Sequence, residues 1–598
     1  MISPRAWRAG LAAITALGAV AAASVALPQT APLPPNLTIE QKTQQQSREF
    51  VNPAARTEPV RRQRATDVFS GPAKEVCQLS DSPTLAFDFH EGVIDDDAHI
   101  LSERDKQTAW GGALGHRITP HELCEIRDRL ATRIFARGVL ARVIIPPQTI
   151  SAGTVHFRVI AAKIISVRFD GADVGPAQAK AEAYLNHLRR RDRFDLDTAQ
   201  RWLLLVNDIP GIQANAKIVH STTPGAPPEG LDLIVSIKRT AIDEFGLISN
   251  SNAKTLGPWS AITRVDFNGF TPFGERTSLI AYSTLGNNRQ EVAQIIETAR
   301  LGDSGLFAQA SFAWGHSRPG DVLKELHLTG NSYVGTLELD YPLIRLQRQN
   351  LVLSTGIDLV NQDTTFPGGQ VLANDSLRIA WLKAAGGIVW ADQPVMDNLM
   401  TTAVDLSVEG RKGIDALGAS RSGGAQGLSR SEGHADAWVV RADGHASLRI
   451  TPNDPRLVPI TISGHFQGQW ADRVLLAYED QSIGNLTIGR GYDPNAASGD
   501  RVASGELKIE VGPMALSRTV RVTPYAFYDL AYVGYLQSGE QDVTLRSLGG
   551  GLEIRFPYDK RGHRIRLDLG YAKPLDRPIP TAQEKPHERF LVQMIIAH

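Results

Sequence analysis

Leu337-Glu338-Leu339-Asp340-Tyr341 and Val404-Asp405-Leu406-Ser407-Val408-Glu409 put apolar side chains on one face of an extended chain and polar or acidic ones on the other. The same period of two recurs at Leu507, Ile509 and Val511 against Lys508 and Glu510. It appears again at Ile565, Leu567, Leu569 and Tyr571 against Arg566, Asp568 and Gly570. From about Asp243 onward no helical period interrupts these runs, and turn residues separate them. A soluble sandwich alternates too. Two features favour a membrane barrel: the polar positions are often charged, which suits a watery lumen, and nothing in the segment supplies a helix to cover a sheet. Closure also removes the exposed edges that so long an all-β chain would present. Residues 243–598 are therefore expected to form a transmembrane β-barrel. Sixteen antiparallel strands at about 22 residues each, turns included, fill that length; counting alone also admits twelve or fourteen.

Upstream the pattern is mixed. Leu123, Ile126, Leu130, Ile134 and Phe135 keep close to helical spacing and predict a helix over Leu123 to Ala136. Gly138-Val139-Leu140 ends it, and Val143-Ile144-Ile145 and Thr154 to Ile160 read as strands. A second unit follows, with a strand at Ile165 to Phe169, helices near Ala177–Leu188 and Asp197–Val206, and strands near Ala214–Ile218 and Leu231–Lys238. Two small α/β domains result, at 75–162 and 163–240.

The start of the chain bears on compartment. Arg5 and Arg8 precede an apolar run from Leu11 to Ala23, and Ser24-Val25-Ala26 offers small residues for cleavage. Residues 1–26 read as a secretory signal, the run being shorter than the ~20 residues of a membrane-spanning helix. Residues 27–74 read as a linker opened by Pro28, Pro32, Pro34 and Pro35, with a polar stretch from Gln41 to Arg48. A helix near Ile39 to Phe50 would have too few apolar residues to fold alone. Both cysteines, Cys77 and Cys124, fall in the first α/β domain, so in an exported chain a disulfide is the default over a reactive thiol. Net charge is −1, which gives no reason to expect nucleic acid as a partner. No cofactor or metal is expected, because the histidines are scattered. No Gly-x-Ser-x-Gly elbow, His-Glu-x-x-His or phosphate loop is found, so an enzyme is not expected.

Several motifs then point one way. Leu486-Thr487-Ile488-Gly489-Arg490-Gly491-Tyr492, followed by Gly499-Asp500 and Ser504-Gly505-Glu506-Leu507, resembles the long loop of two-partner secretion transporters, the TpsB family of the haemolysin/haemagglutinin activation-secretion type. Ile144-Ile145-Pro146-Pro147-Gln148-Thr149-Ile150 resembles the end of that family's first periplasmic domain, and Asp340-Tyr341-Pro342-Leu343 with Arg345 an early barrel strand. The resemblance runs from about residue 40 to the end. It implies an N-terminal plug helix at about 36–50, two polypeptide-transport-associated (POTRA) domains and a sixteen-stranded outer-membrane barrel, with the POTRA domains in the periplasm. It also implies that the protein captures the N-terminal secretion domain of a large, unfolded β-helical exoprotein and passes that partner through the lumen. Outer-membrane lipid and, during biogenesis, the barrel-assembly machinery would be further partners.

In this family the loop arginine pairs inside the lumen with an aspartate on the wall, and Arg490 takes the loop role. Along Thr519 to Val533, Val520, Val522, Ala526, Tyr528 and Leu530 share the lipid parity, while Arg521, Thr523, Tyr525, Phe527 and Asp529 share the lumen parity. Asp529 is thus the expected partner, met through two parallel hydrogen bonds that lysine cannot reproduce. Gly491 would permit a tight backbone beside Arg490, and Tyr492 would stack on the wall. Two departures from the family stand out: Ala531 replaces its glycine two residues beyond the aspartate, and the chain ends in Ala597-His598 rather than an aromatic.

Client capture is expected at exposed strand edges, with Val143 to Ile145 and Leu231 to Ile237 as candidates, or in a groove beside a helix. Arg189-Arg190-Arg191 would attract an acidic client, or simply complement a helix dipole. The superfamily loop alone does not separate an exporter from a factor that inserts other barrels; room for only two POTRA domains and the Pro-Pro-Gln stretch favour export.

Overall fold

A computed structural model describes Cys77 and residues 85–96, 100–150, 152–170, 175–286, 289–421, 427–484, 488–556, 564–578 and 586–597. The expected signal segment 1–26, the linker 27–74 and the plug helix at 36–50 lie outside the described residues.

The first α/β unit contains β1 (Phe87–Phe89), β2 (Glu91–Asp95), α1 (Glu103–Trp110), β3 (His116–Ile118), α2 (Pro120–Ala136), β4 (Ala141–Ile144) and β5 (Thr154–Ala161). Helix α2 starts where its sequence says it can. Thr119 and Glu122 form a reciprocal capping box, and Pro120 occupies the first turn, where its missing N–H costs nothing. Its apolar stripe of Leu123, Ile126, Leu130 and Ile134 is buried against Val143, Val155 and Phe157. The sheet order is β2-β5-β4, with β2 parallel and β4 antiparallel to β5. Cys77 is bonded to Cys124 on α2.

The second unit repeats the plan with β6 (Lys163–Asp170), α3 (Gln178–Arg189), α4 (Leu196–Asn207), β7 (Ile212–His220) and β8 (Gly230–Arg239). Its order, β6-β8-β7, corrects one expectation. Leu231 to Ile237 is the central strand, hydrogen-bonded on both sides, and so is no docking edge. Leu231, Leu233 and Val235 point into the core, where Tyr184, Leu185, Leu205 and Val206 from the two helices meet them.

Two residues after β8 the chain enters the barrel. The strands are β9 (Ile242–Ser249), β10 (Ser260–Asn268), β11 (Arg276–Thr284), β12 (Gln290–Arg300) and β13 (Phe307–Ser317). Next come β14 (Thr329–Arg345), β15 (Gln349–Thr365), β16 (Val371–Val395), β17 (Asn398–Gly413), β18 (Trp438–Pro452) and β19 (Ile460–Ala471). A loop carrying the short pair β20 (Gln481–Ile483) and β21 (Ala497–Gly499) leads to β22 (Arg501–Val511) and the two-residue β23 (Met514–Ala515). The last are β24 (Arg521–Gly534), β25 (Val543–Arg555), β26 (Arg564–Pro574) and β27 (Arg589–Ala597). Leaving aside β20, β21 and β23, sixteen antiparallel strands close on themselves, β27 pairing with β9 from Gln593↔Ser249 to Ala597↔Phe245. Among the described residues no helix is long and apolar enough to cross a membrane; the closed cylinder leaves no unpaired strand edge, as a lipid-embedded sheet requires.

The alternation decides which side each residue takes. Leu337 (58% exposed), Leu339 and Tyr341 face outward while Glu338 and Asp340 face the bore; Leu406 (55%) lies outward between Asp405 and Ser407. The lumen is not polar throughout. Inward residues Ala313, Val334, Val360, Leu377 and Ile379, toward the end remote from the α/β units, form an apolar cluster with loop residues Ala435, Leu476 and Tyr478. That region departs from the charged interior expected, because loops fold in and need a surface to pack on.

At the other end the second unit is docked on the barrel turns. Asp208 receives a fork from Arg345 (2.7 and 2.7 Å), Lys180 donates to the Gly302 carbonyl (2.9 Å), and Arg239 reaches the Asn268 and Gly269 carbonyls (3.2 and 3.0 Å).

Candidate functional site: an arginine held inside the barrel

The long β19–β22 connection turns back into the bore. Asn485 to Thr487 lie outside the described residues, but Ile488 to Tyr492 are described, and Arg490 is 7% exposed. Its guanidinium meets two acids. Nη2 is 3.1 Å from Asp529 Oδ1 and 3.0 Å from Glu506 Oε1, and the group's centre lies 3.4 Å from the centroid of the Phe527 ring. Glu506 on β22 and Asp529 on β24 are direct cross-strand partners. Two carboxylates so placed repel; a cation between them turns a destabilising pair into a receptor for the loop.

The contact is not the parallel two-bond fork expected from sequence. Asp529 Oδ2 is already occupied, accepting from the backbone N–H of Gly489 (3.1 Å) and of Arg490 (3.0 Å) and from the Ser547 hydroxyl (2.9 Å). One carboxylate therefore reads both the arginine side chain and the loop backbone, which fixes the loop's position as well as its charge. Asp529 is 1% exposed.

Gly491 is needed for space. A Cβ there would sit 2.7 Å from Ser547 Cβ and 2.9 Å from Pro574 N. The left-handed backbone belongs to Gly489, at φ +80°. Tyr492 does not stack flat on the wall. It is inserted among Ile483, Val533 and Leu545, and its hydroxyl donates to the Arg546 carbonyl (2.7 Å) and accepts from the Asp576 N–H (3.0 Å). Ala531 packs in the same cluster. On the wall, Phe527 lies opposite Gly549 and Tyr525 opposite Gly551, and the glycines leave room for the rings.

Arg490, Gly491, Tyr492, Phe527 and Asp529 are thus brought together. Glu506, Ser547 and Arg589 complete the site and were not singled out from sequence. Arg589 donates to the Tyr492 carbonyl from the last strand. The signal for Glu506 was present: carrying the Lys508–Glu510 parity back by two residues reaches it. The expected client-binding residues lie elsewhere. Val143 and Ile144 are on β4, an edge of its sheet, and Ile145 falls just beyond it. Arg189 ends α3, and with Arg190, Asn186 and Lys163 to Ile165 it lines a groove between that helix and edge strand β6; Arg191 is exposed.

Known proteins agree with this architecture. Residues 248–556 match the family described as haemolysin secretion/activation protein ShlB/FhaC/HecB, and residues 90–161 match the ShlB-type POTRA domain. The heme/hemopexin transporter protein HuxB of Haemophilus influenzae (strain 86-028NP) is 23% identical over 522 residues, 84% of each chain. Among solved structures, CdiB from Escherichia coli superposes with a TM-score of 0.73 at 14% identity, over 95% of this chain and 100% of that one. CdiB from Acinetobacter baumannii gives 0.65 at 15% identity, over 96% and 100%. These two likenesses concern the fold. With its family match covering the barrel from β9 to β25 and its POTRA match the first α/β unit, the chain belongs to the haemolysin secretion/activation family of outer-membrane protein transporters.

Proposed function

We propose that this protein takes an unfolded, secreted partner from the periplasm and passes it through the barrel lumen to the cell surface. The partner is a large β-helical exoprotein with an N-terminal secretion domain, and the α/β units are the periplasmic POTRA domains. The observation that carries the reading is Arg490 seated between Glu506 and Asp529. Desolvation offsets most of the Coulomb attraction of such a pair, so the ionic contact fixes the loop's position without holding it irreversibly, while Tyr492 and its apolar neighbours must also part for the loop to leave. Residues 1–26 direct export, 27–74 form a linker, and 36–50 form a plug. Boundaries at 75–162, 163–240 and 243–598 delimit the two POTRA domains and the barrel.

Capture uses the α3–β6 groove, where an extended client strand can add to the β6 edge while Arg189 and Arg190 meet its acidic side chains. The β4 edge with Val143 and Ile144 is a second strand-addition site. The outer wall meets lipid, and the barrel-assembly machinery inserts the chain. The test is a periplasmic pull-down combined with a secretion assay. One large β-rich exoprotein recovered with the α/β units, and retained in cells carrying Arg490→Ala, supports export. Recovery of many barrel precursors would instead make the protein an insertion factor.

A further inference from the structure

The same loop is held a second time, ten residues to either side of Arg490, at Asp480 and Asp500. Arg430, in the described stretch 427–437 between β17 and β18, is half-buried, its side chain 10% exposed, among acids from two other segments. Its Nη1 is 2.9 Å from Asp480 Oδ1 and 2.7 Å from Asp500 Oδ1, and its Nη2 is 3.1 Å from Asp500 Oδ2 and 3.4 Å from Glu540 Oε2. Asp500 is 0% exposed and also accepts the N–H groups of Leu475 (2.7 Å) and Leu536 (2.8 Å). Glu432 receives the Ser538 N–H at 3.0 Å, and the His434 N–H bonds the Val474 carbonyl at 2.9 Å. Three connections at the barrel end remote from the α/β units are thereby joined: 427–437, 472–484 and 535–542.

This assembly is also fastened to the wall. Arg411 on β17 forks onto Glu479 (2.9 and 3.0 Å) while holding Asp358 on β15 at 2.8 Å. Between these anchors Leu476, Tyr478 and Ala435 bury themselves against the inward faces of β13 to β16. Apolar loop residues on an apolar stretch of lumen wall leave water no reason to occupy that region.

We propose that the outer mouth of the lumen is closed by this second arginine-centred assembly, with Arg430 as the positioning residue that joins the three connections, and that it opens separately from the Arg490 contact. Without the guanidinium, Asp480 and Asp500 are two buried carboxylates with no cation between them, so the connections part. The closure stands whether or not a client uses the lumen.

The test uses the full chain in intact cells, with Gln467→Cys as a reporter on the lumen face of β19 and a maleimide too large for general porins. With both native cysteines paired, the reporter is the only free thiol. Labelling should rise about tenfold in Arg430→Ala and stay at the parent level in Arg490→Ala. Unchanged labelling in Arg430→Ala, in a barrel that still resists unheated detergent denaturation, overturns the proposal, as does an equal rise from Arg490→Ala. If Arg430→Ala does not assemble, Asp500→Asn is read the same way. Leu417→Cys, on an exposed loop at that end, must label in every strain. Its failure would count against the orientation assumed for export, not against the closure.

Discussion

Glu506 and Asp529 face each other across β22 and β24, so the wall is built with a repulsion that only a visiting cation relieves. Arg490→Ala restores that repulsion and removes one partner of a buried pair, a change that costs roughly 3–5 kcal/mol in comparable sites. Arg490→Lys keeps the charge but loses the planar group that spans both acids and lies on Phe527. Export in a secretion assay should fall about tenfold or more in either variant, with heat-modifiable mobility of the barrel retained; full export by the lysine variant would reduce the site to a point charge. Gly491→Ala tests the backbone alone. Its methyl would meet Ser547 and Pro574, overpacking worth about 1–3 kcal/mol against docking, and export should fall in the same secretion assay while every charge stays in place. Parity placed Asp529 on the lumen side from sequence because strand period is strict. It could not show that one carboxylate oxygen is consumed by backbone N–H groups, since that depends on where the loop returns.

At the scale of elements, strands with one lipid face and one charged face were legible, and so was α2 with its apolar stripe. Helix α1 was not: Glu103 to Thr108 carry no apolar period, and it exists because Ser102 and Asp105 cap its start and Trp110 anchors its end in the core. The misreading of Leu231 to Ile237 as an edge has a physical cause. Its near-continuous apolar run is the mark of a strand whose faces are covered, and such a run does not say how many neighbours its backbone pairs with. In the fold Asp232 is buried, accepting from the Ser166 and Ser221 hydroxyls (2.7 Å each) with Arg168 3.2 Å away. Burial pushes its carboxyl up, and the two hydroxyls with Arg168 bring it below the ordinary value. A depressed folded value means stability that is present above the unfolded value of about 3.9 and lost as pH falls through the folded one. The second unit should therefore hold from neutral pH to about pH 4 and weaken below. Asp232→Asn should lower its stability at pH 7 by roughly 1–3 kcal/mol and flatten the acid limb, read by pulse proteolysis; an unchanged limb would place the acid sensitivity elsewhere. In the first unit, the Cys77–Cys124 bridge closes 47 residues, worth roughly 3–4 kcal/mol by chain entropy. Reductant should make that unit protease-sensitive before the barrel changes, whereas thiols that label without reductant would exclude the bridge.

For the molecule as a whole, the question is what stands in the lumen. On the proposals above, two obstructions stand in series with the Arg490 loop: the outer closure around Arg430 and the plug at residues 36–50. Current through a series path is limited by its narrowest part, so removing either one leaves the other in control. Deleting Asn36 to Phe50 should raise conductance in planar bilayers only modestly, and Arg430→Ala alone should also do little. The two changes together should open the pore by more than the sum of their separate effects, because the narrowest remaining constriction is then the bore with the Arg490 loop seated in it. Additive conductances would mean parallel leaks rather than one gated bore. A deletion that changes nothing even in the Arg430→Ala background would remove the plug, leaving the loops as the barrier that a passing chain must displace.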